Sequence, residues 1–140
     1  MSEPYTKTDN FLRALVRLKE GITKYDEAND LLRDGIIQRF EFTFELAWKT
    51  LKTVFEHEGL TGLNSPKTVL REAFSAGLIK DDELWLTMLM DRNSTTHIYS
   101  EQSAIEICHN IQEKYVMEFE RLLQNIRARL DVAAVKQTSE

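Results

Sequence analysis

The chain reads as an all-α protein, an antiparallel up-and-down four-helix bundle with one additional short helix, and three observations lead there. Apolar residues recur at three-and-four spacing through four separate stretches, the mark of a buried helical stripe. No window shows the two-residue alternation of a half-buried strand, and no internal repeat or low-complexity tract interrupts the pattern. Glycines number five and prolines two in 140 residues. Breaks are therefore few and connections short, which favours antiparallel neighbours.

Residues 1–7 carry no such stripe and are expected to fray. Thr8 or Asp9 then caps a first helix whose inward face is Phe11, Leu15, Leu18, Ile22 and Tyr25. The neighbourhood from Asp30 to Gly35 breaks the pattern. After it Ile37, Phe40, Phe44, Ala47, Trp48, Leu51 and Phe55 form the strongest stripe of the chain, ending at Gly59. At 1.5 Å per residue that second helix should be about 35 Å long, so its neighbours must be long as well.

Residues 59–64 form a loop. Ser65-Pro66 supplies an N-cap followed by proline at the first helical position of a short third helix, which runs to about Ala76. Gly77 is placed as a left-handed stop, with Leu78 making the hydrophobic contact beyond it. Asp81, Asp82 and Glu83 set negative charge at the start of a fourth helix, where the macrodipole favours it. A fifth helix restarts near Ser100 on the stripe Ala104, Ile107, Cys108, Ile111, Tyr115, Phe119, Leu122, Ile126 and Leu130. Fraying is expected beyond Leu130.

The length suits one domain, residues 1–140 with an ordered core of about 8–130, able to bury roughly two-thirds of its unfolded surface. With 42% hydrophobic and 29% charged residues the composition is that of a soluble helical protein. No segment reaches the ~18 apolar residues of a membrane span. The start, Met1-Ser2-Glu3-Pro4, lacks a signal-peptide pattern, and a lone cysteine, Cys108, forms no internal disulfide. Both point to a cytoplasmic protein. A net charge of −5 argues against a broad grip on nucleic acid, which needs many cations on phosphates. A confined basic cleft, or RNA presented by a partner, stays open.

Asp91-Arg92-Asn93-Ser94-Thr95-Thr96-His97-Ile98-Tyr99 stands out. The stripe of Leu84, Trp85, Met88 and Leu89 continues to Arg92, Thr96 and Tyr99, so a charge stands where a core residue is due. Asn, Ser, Thr and His are also mediocre helix formers, and a helix through them needs tertiary contacts to hold it. If the segment is helical, Asn93 and His97 share one face and Arg92, Thr96 and Tyr99 a neighbouring one. Arg92 and His97 then lie about 140° apart. They converge if the arginine curls over, if the helix loosens, or if two copies face each other across a symmetric dimer.

Histidine can take and give a proton near neutral pH, and a guanidinium matches phosphate oxygens. That pair suits RNA cleavage without a metal. A base removes the proton of a ribose 2′-hydroxyl, the oxygen attacks the adjacent phosphate, and Arg92 stabilises the developing charge while Asn93 orients His97 or the substrate. An ordinary structural reading stands beside this one. Asn, Ser and Thr favour turns and caps, so Asp91–Ser100 can be a helix end with Arg92 paired to Asp91 or Glu41. Glu41 and Glu45 edge the second helix's stripe as candidate partners of Arg92, and Glu45 can also pair with Lys49 four residues on.

The arginine, four residues, histidine, one residue, tyrosine pattern of 92–99 resembles the motif of the HEPN superfamily. Residues 39–49 (Arg39-Phe40-Glu41-Phe42-Thr43-Phe44-Glu45-Leu46-Ala47-Trp48-Lys49), Ser65-Pro66 with Arg71-Glu72-Ala73-Phe74, and Glu83-Leu84-Trp85 ahead of Asp91-Arg92-Asn93 look like its nucleotidyltransferase substrate-binding branch, over roughly residues 10–125. The resemblance implies a homodimeric helical bundle encoded beside a minimal nucleotidyltransferase, or MNT, in a toxin–antitoxin type of system. It implies one of two roles: a substrate-binding subunit, or an endoribonuclease toxin in which Arg92 and His97 cut RNA and Tyr99 is adenylylated by the partner. ATP and Mg²⁺ would belong to that partner. This chain is no nucleotidyltransferase itself, because it lacks the Gly-Ser pair and paired Asp residues that hold Mg²⁺ and triphosphate.

Other candidates are weaker. Cys108-His109 and His57-Glu58 follow no metal-ligand spacing, so no metal site is expected. Trp48 and Trp85 lie on core faces. Phe42 and Leu46 stack opposite the main stripe of the second helix, beside Arg39 and Lys49, and are covered either by a flanking helix or by a partner.

Overall fold

The computed structural model describes residues 3–94 and 100–139. It consists of helices α1 (Glu3–Thr23), α2 (Asp30–His57), α3 (Pro66–Ser75), α4 (Asp82–Ser94) and α5 (Glu101–Asn110). A π-helical segment, Ile111–Tyr115, carries α5 without interruption into α6 (Val116–Ser139). Among the described residues there is no strand. Helix α1 packs along α2 and against α6, α2 also meets α3, α4 and α5, and α3 rests on α4.

Several boundaries differ from those expected. Helix α1 begins at Glu3, so residues 3–7 are helical and Thr8 caps nothing. The Thr8 hydroxyl instead donates to the Pro4 carbonyl at 2.7 Å within the helix. Proline is well placed in a first turn, where its missing N–H has no partner to lose. The Tyr5 hydroxyl then donates to the Leu130 carbonyl at 3.2 Å, tying this turn to α6. Helix α6 likewise runs past Leu130 to Ser139. The Ala-Ala pair at 133–134 favours such an extension even on an exposed stretch.

The stretch from Asp30 to Gly35 is the first part of α2 and not a break. Asn29 caps it, its side chain accepting from the Leu32 N–H at 3.1 Å. Arg33 is buried and its guanidinium bonds Glu101 at 3.0 Å. That tertiary anchor offsets the cost of Gly35 inside a helix. With 28 residues α2 is about 42 Å long.

Other signals act as read. Ser65 and Thr68 form a reciprocal capping box at the start of α3, each side chain accepting from the other's backbone N–H at 3.2 Å. Gly77 takes φ +77°, and Leu78, buried, donates its N–H to the Ala73 carbonyl at 2.9 Å. The Asp81 carboxylate accepts from the Leu84 N–H at 3.0 Å and so caps α4. Ser100 caps α5 through the Ser103 N–H at 3.0 Å.

The stripes meet in an aromatic core. Trp85 of α4 lies 6.2 Å from Phe44 of α2 and 5.7 Å, edge to face, from Phe119 of α6. Phe119 in turn meets Phe11 of α1 at 6.0 Å and Phe40 of α2 at 6.2 Å. All five rings are essentially inaccessible to solvent. Offset and edge-on ring pairs at these separations add specific attraction to the burial itself. This cluster fixes the height of α4 against α2, and with it the position of the residues at the end of α4.

Candidate functional site

The apolar stripe of α4 ends at Trp85 and Met88, with Leu84 and Leu89 partly buried. Arg92, one turn on, does not enter the core. Its side chain is about one-third exposed and reaches across to α2, where a guanidinium nitrogen bonds the Glu45 carboxylate. The other Glu45 oxygen holds Lys49 at 3.5 Å. Both expected partners of Glu45 are therefore engaged at once, and the carboxylate stands between two cations. Glu41, a turn earlier on α2, takes no part in this pairing, and the alternatives of Asp91 or Glu41 as the arginine's partner give way to Glu45. A second guanidinium nitrogen donates to the Asn93 side-chain oxygen at 3.2 Å.

Asp91 is turned the other way. Its carboxylate accepts from the buried Tyr115 hydroxyl of the π-helical segment, and Asn110 also hydrogen-bonds this pair. Burial pushes the Asp91 carboxyl above its ordinary range, against the opposing pull of the Tyr115 and Asn110 hydrogen bonds. Burial, and then the bonded carboxylate, raise the Tyr115 hydroxyl far above its usual range, so it stays a donor. Asp91 thus anchors the end of α4 to α5–α6, while Arg92 anchors it to α2.

Thr96, His97 and Tyr99 lie outside the described residues. Of the expected site, Arg92, Asn93 and Glu45 are brought together at the end of α4, whereas Asp91 is directed to Tyr115 and Glu41 takes no part in the pairing. Cys108 is buried and its thiol is pushed up to about 11 by that burial, which suits a core residue and not a nucleophile. Among the described residues no three His, Cys, Asp or Glu side chains converge as a metal site would need, and no helix is long and apolar enough to cross a membrane.

The family described as nucleotidyltransferase substrate binding protein like matches residues 6–128. The chain belongs to this family, the substrate-binding branch of the HEPN superfamily. The probable ribonuclease HepT of Haemophilus influenzae is 34% identical over 104 residues, 71% of this chain and 70% of that protein. A solved structure from Thermus thermophilus is 39% identical with a TM-score of 0.69, covering 86% of this chain and 98% of the other. The tri-AMPylated HEPN toxin of Shewanella oneidensis, solved in complex with its MNT antitoxin, shares the fold at a TM-score of 0.76 and 17% identity, covering 91% and 99%.

In this HEPN chain the residue that sequence reasoning missed is Tyr115. It sits on the core stripe of α5–α6 and reads there as an ordinary buried aromatic. Its position depends on the π-helical segment, whose wider turn shifts the register of the face it presents, and no residue in Ile111–Tyr115 announces such a turn. The available signal was chemical, since a buried tyrosine needs a partner for its hydroxyl and Asp91 is the one carboxylate in residues 91–99.

Tyr115→Phe is expected to cost about 1–2 kcal/mol at neutral pH, because it leaves a half-buried carboxylate short of a donor. The sign with pH follows from the raised Asp91 pKa. Ionising Asp91 in the folded state removes stability as pH rises through that pKa, and the Tyr115 hydrogen bond limits the loss. The penalty of Tyr115→Phe should therefore shrink as acid protonates Asp91. Urea unfolding of both proteins across the acid range measures it, and a penalty independent of pH contradicts the assignment.

Proposed function

We propose that this chain is the helical, RNA-cleaving subunit of a cytoplasmic two-component system of toxin–antitoxin type, paired with a minimal nucleotidyltransferase. The observation that carries the reading is the Arg92 guanidinium fixed by Glu45 at the end of α4, five positions before His97 in the sequence. A guanidinium held in place loses little freedom when phosphate arrives, and a fork of donors suits nonbridging oxygens. In this reading His97 takes the 2′-hydroxyl proton, the freed oxygen attacks the adjacent phosphorus, and the bond to the 5′-oxygen breaks as that oxygen takes up a proton from solvent water. A 2′,3′-cyclic phosphate results, without a metal. Asn93 orients His97 or the substrate, and Thr96 and Asp91 support the segment.

The same reading includes an antiparallel up-and-down four-helix arrangement of α1, α2, α4 and the α5–α6 run, with α3 as the added short helix, in one domain. Packing of α1 against both α2 and α6 supports it. It also includes a homodimer in which two copies of 91–99 line one RNA cleft. Exposed Met90, beside Asp91, supplies apolar surface for that contact. Tyr99 is the adenylylation target, with ATP and Mg²⁺ held by the partner. Family membership favours a second reading, in which the chain is a non-catalytic substrate-binding subunit.

Incubation with the neighbouring nucleotidyltransferase, ATP and Mg²⁺, followed by intact mass and peptide mapping, tests the pairing. Adenylyl groups on Tyr99, absent from Tyr99→Phe, are expected. An unmodified chain beside a modified third molecule would favour the substrate-binding role.

A further inference from the structure

We propose that the groove between α1 and α2 is a binding track for single-stranded RNA that leads to the Arg92 site, an inference that rests on the RNA-cleaving reading above. The groove encloses about 740 Å³ and is lined by Arg13 and Arg17 of α1 and by Arg39, Phe42 and Leu46 of α2. Among the described residues no carboxylate lines it. Three guanidinium groups thus gather on one face of a chain whose net charge is −5, and among the described residues none of them forms an ion pair. Such a face recruits an anion.

The geometry points to a phosphodiester strand. Arg13 and Arg17 are exposed, four residues apart on one helix face, about 6 Å along the axis. They can meet successive phosphates of an extended strand. Arg39 is fixed by a hydrogen bond from Nη1 to the Arg17 carbonyl at 2.7 Å, which uses one of its five donors and aims the rest. Phe42 stands 66% exposed among these cations, uncovered by any flanking helix. An aromatic platform beside a cationic track is the combination that holds single strands without regard to sequence, bases stacking on the ring while phosphates meet the arginines. The track also has a direction. Leu46 lines the groove, and its neighbour Glu45 is the carboxylate that holds Arg92.

A second copy of the chain fits this face poorly. Placing the groove on itself would set guanidinium against guanidinium with no carboxylate between them.

The test is fluorescence anisotropy with a labelled 2′-O-methyl single strand, which presents the phosphates and bases but has no hydroxyl to react. Wild type should bind with a steep salt dependence. Arg13→Ala/Arg17→Ala should weaken binding at least tenfold and flatten the log–log salt slope by about 1.4, two phosphate contacts at ~0.7 each. Phe42→Ala should weaken it about tenfold with the slope unchanged. Circular dichroism and sedimentation confirm the fold and the oligomeric state of each variant. Binding undiminished in both variants overturns the proposal. So does a change of oligomeric state in the variants, which marks a self-association face, or binding of poly-glutamate in place of the oligonucleotide. Cleavage of the matching RNA is followed in parallel to separate the two readings. Variant-sensitive binding without cleavage by wild type upholds the track and defeats the RNase reading, whereas cleavage with variant-insensitive binding defeats the track alone.

Discussion

Arg92→Ala is expected to lower RNA cleavage by about 10²–10³-fold, the usual cost of removing one preorganised donor to a developing oxyanion. Its effect on stability should be small. The Arg92 side chain is about one-third exposed and its partner Glu45 keeps Lys49, so the lost ion pair is worth at most about 1 kcal/mol. A large fall in activity with a nearly unchanged melting temperature separates a phosphate-binding role from a structural one. Arg92→Lys sharpens the comparison, since a point charge keeps the ion pair but loses the fork that matches phosphate geometry. Recovery of stability without recovery of rate is the expected pattern. The measurement is single-turnover cleavage of a defined oligoribonucleotide alongside thermal melts of the three proteins. Equal losses of rate and stability would mean that Arg92 acts only as a tie between α4 and α2.

Trp85→Ala is expected to cost about 3–5 kcal/mol, the range for deleting a fully buried large aromatic. Trp85 is 1% exposed and joins Phe44 to Phe119 in the ring cluster where α2, α4 and α6 meet. At about 3 °C per kcal/mol for a chain of this size, the melting temperature should fall by about 10–15 °C. Activity should suffer even where the variant still folds. Arg92 and Asp91 lie two turns beyond Trp85 on α4 and depend on its packing for their reach to Glu45 and Tyr115. Trp85→Phe, which keeps most of the volume, should recover most of both properties. Denaturant titration gives the stabilities. A melting temperature within a few degrees of wild type in Trp85→Ala would show that the cluster does not anchor α4.

Much of the fold is legible in the residues because burial imposes a period on them. Phe40, Phe44, Leu51 and Phe55 on α2, and Ile111, Tyr115, Phe119 and Ile126 along α5–α6, are all buried as their spacing requires. Ser65-Pro66, Gly77 and Ser100 mark boundaries through chemistry that acts within a few residues. The misreadings arise where distant contacts outweigh local preference. Gly35 reads as a break until Arg33 finds Glu101, 68 residues away. Residues 3–7 read as frayed until Tyr5 meets Leu130. At the site, the oddity of Arg92 on an apolar stripe was visible, but its partner was not, because both Glu41 and Glu45 edge α2 and the relative height of α4 decides between them. Tyr115 was hidden for the same kind of reason, since the π-helical turn that presents it to Asp91 leaves no mark in composition.

The most direct test of the account is incubation of the purified, unmodified chain, with no nucleotidyltransferase added and with EDTA present, with a defined single-stranded RNA. Wild type is compared with His97→Ala and the product ends are analysed. The account predicts cleavage by wild type, leaving 2′,3′-cyclic phosphate ends, with His97→Ala slower by about 10²–10⁴-fold as befits loss of a general base. Intact RNA after incubation with a folded wild-type protein, or equal cleavage by both proteins, would contradict it and leave the substrate-binding role.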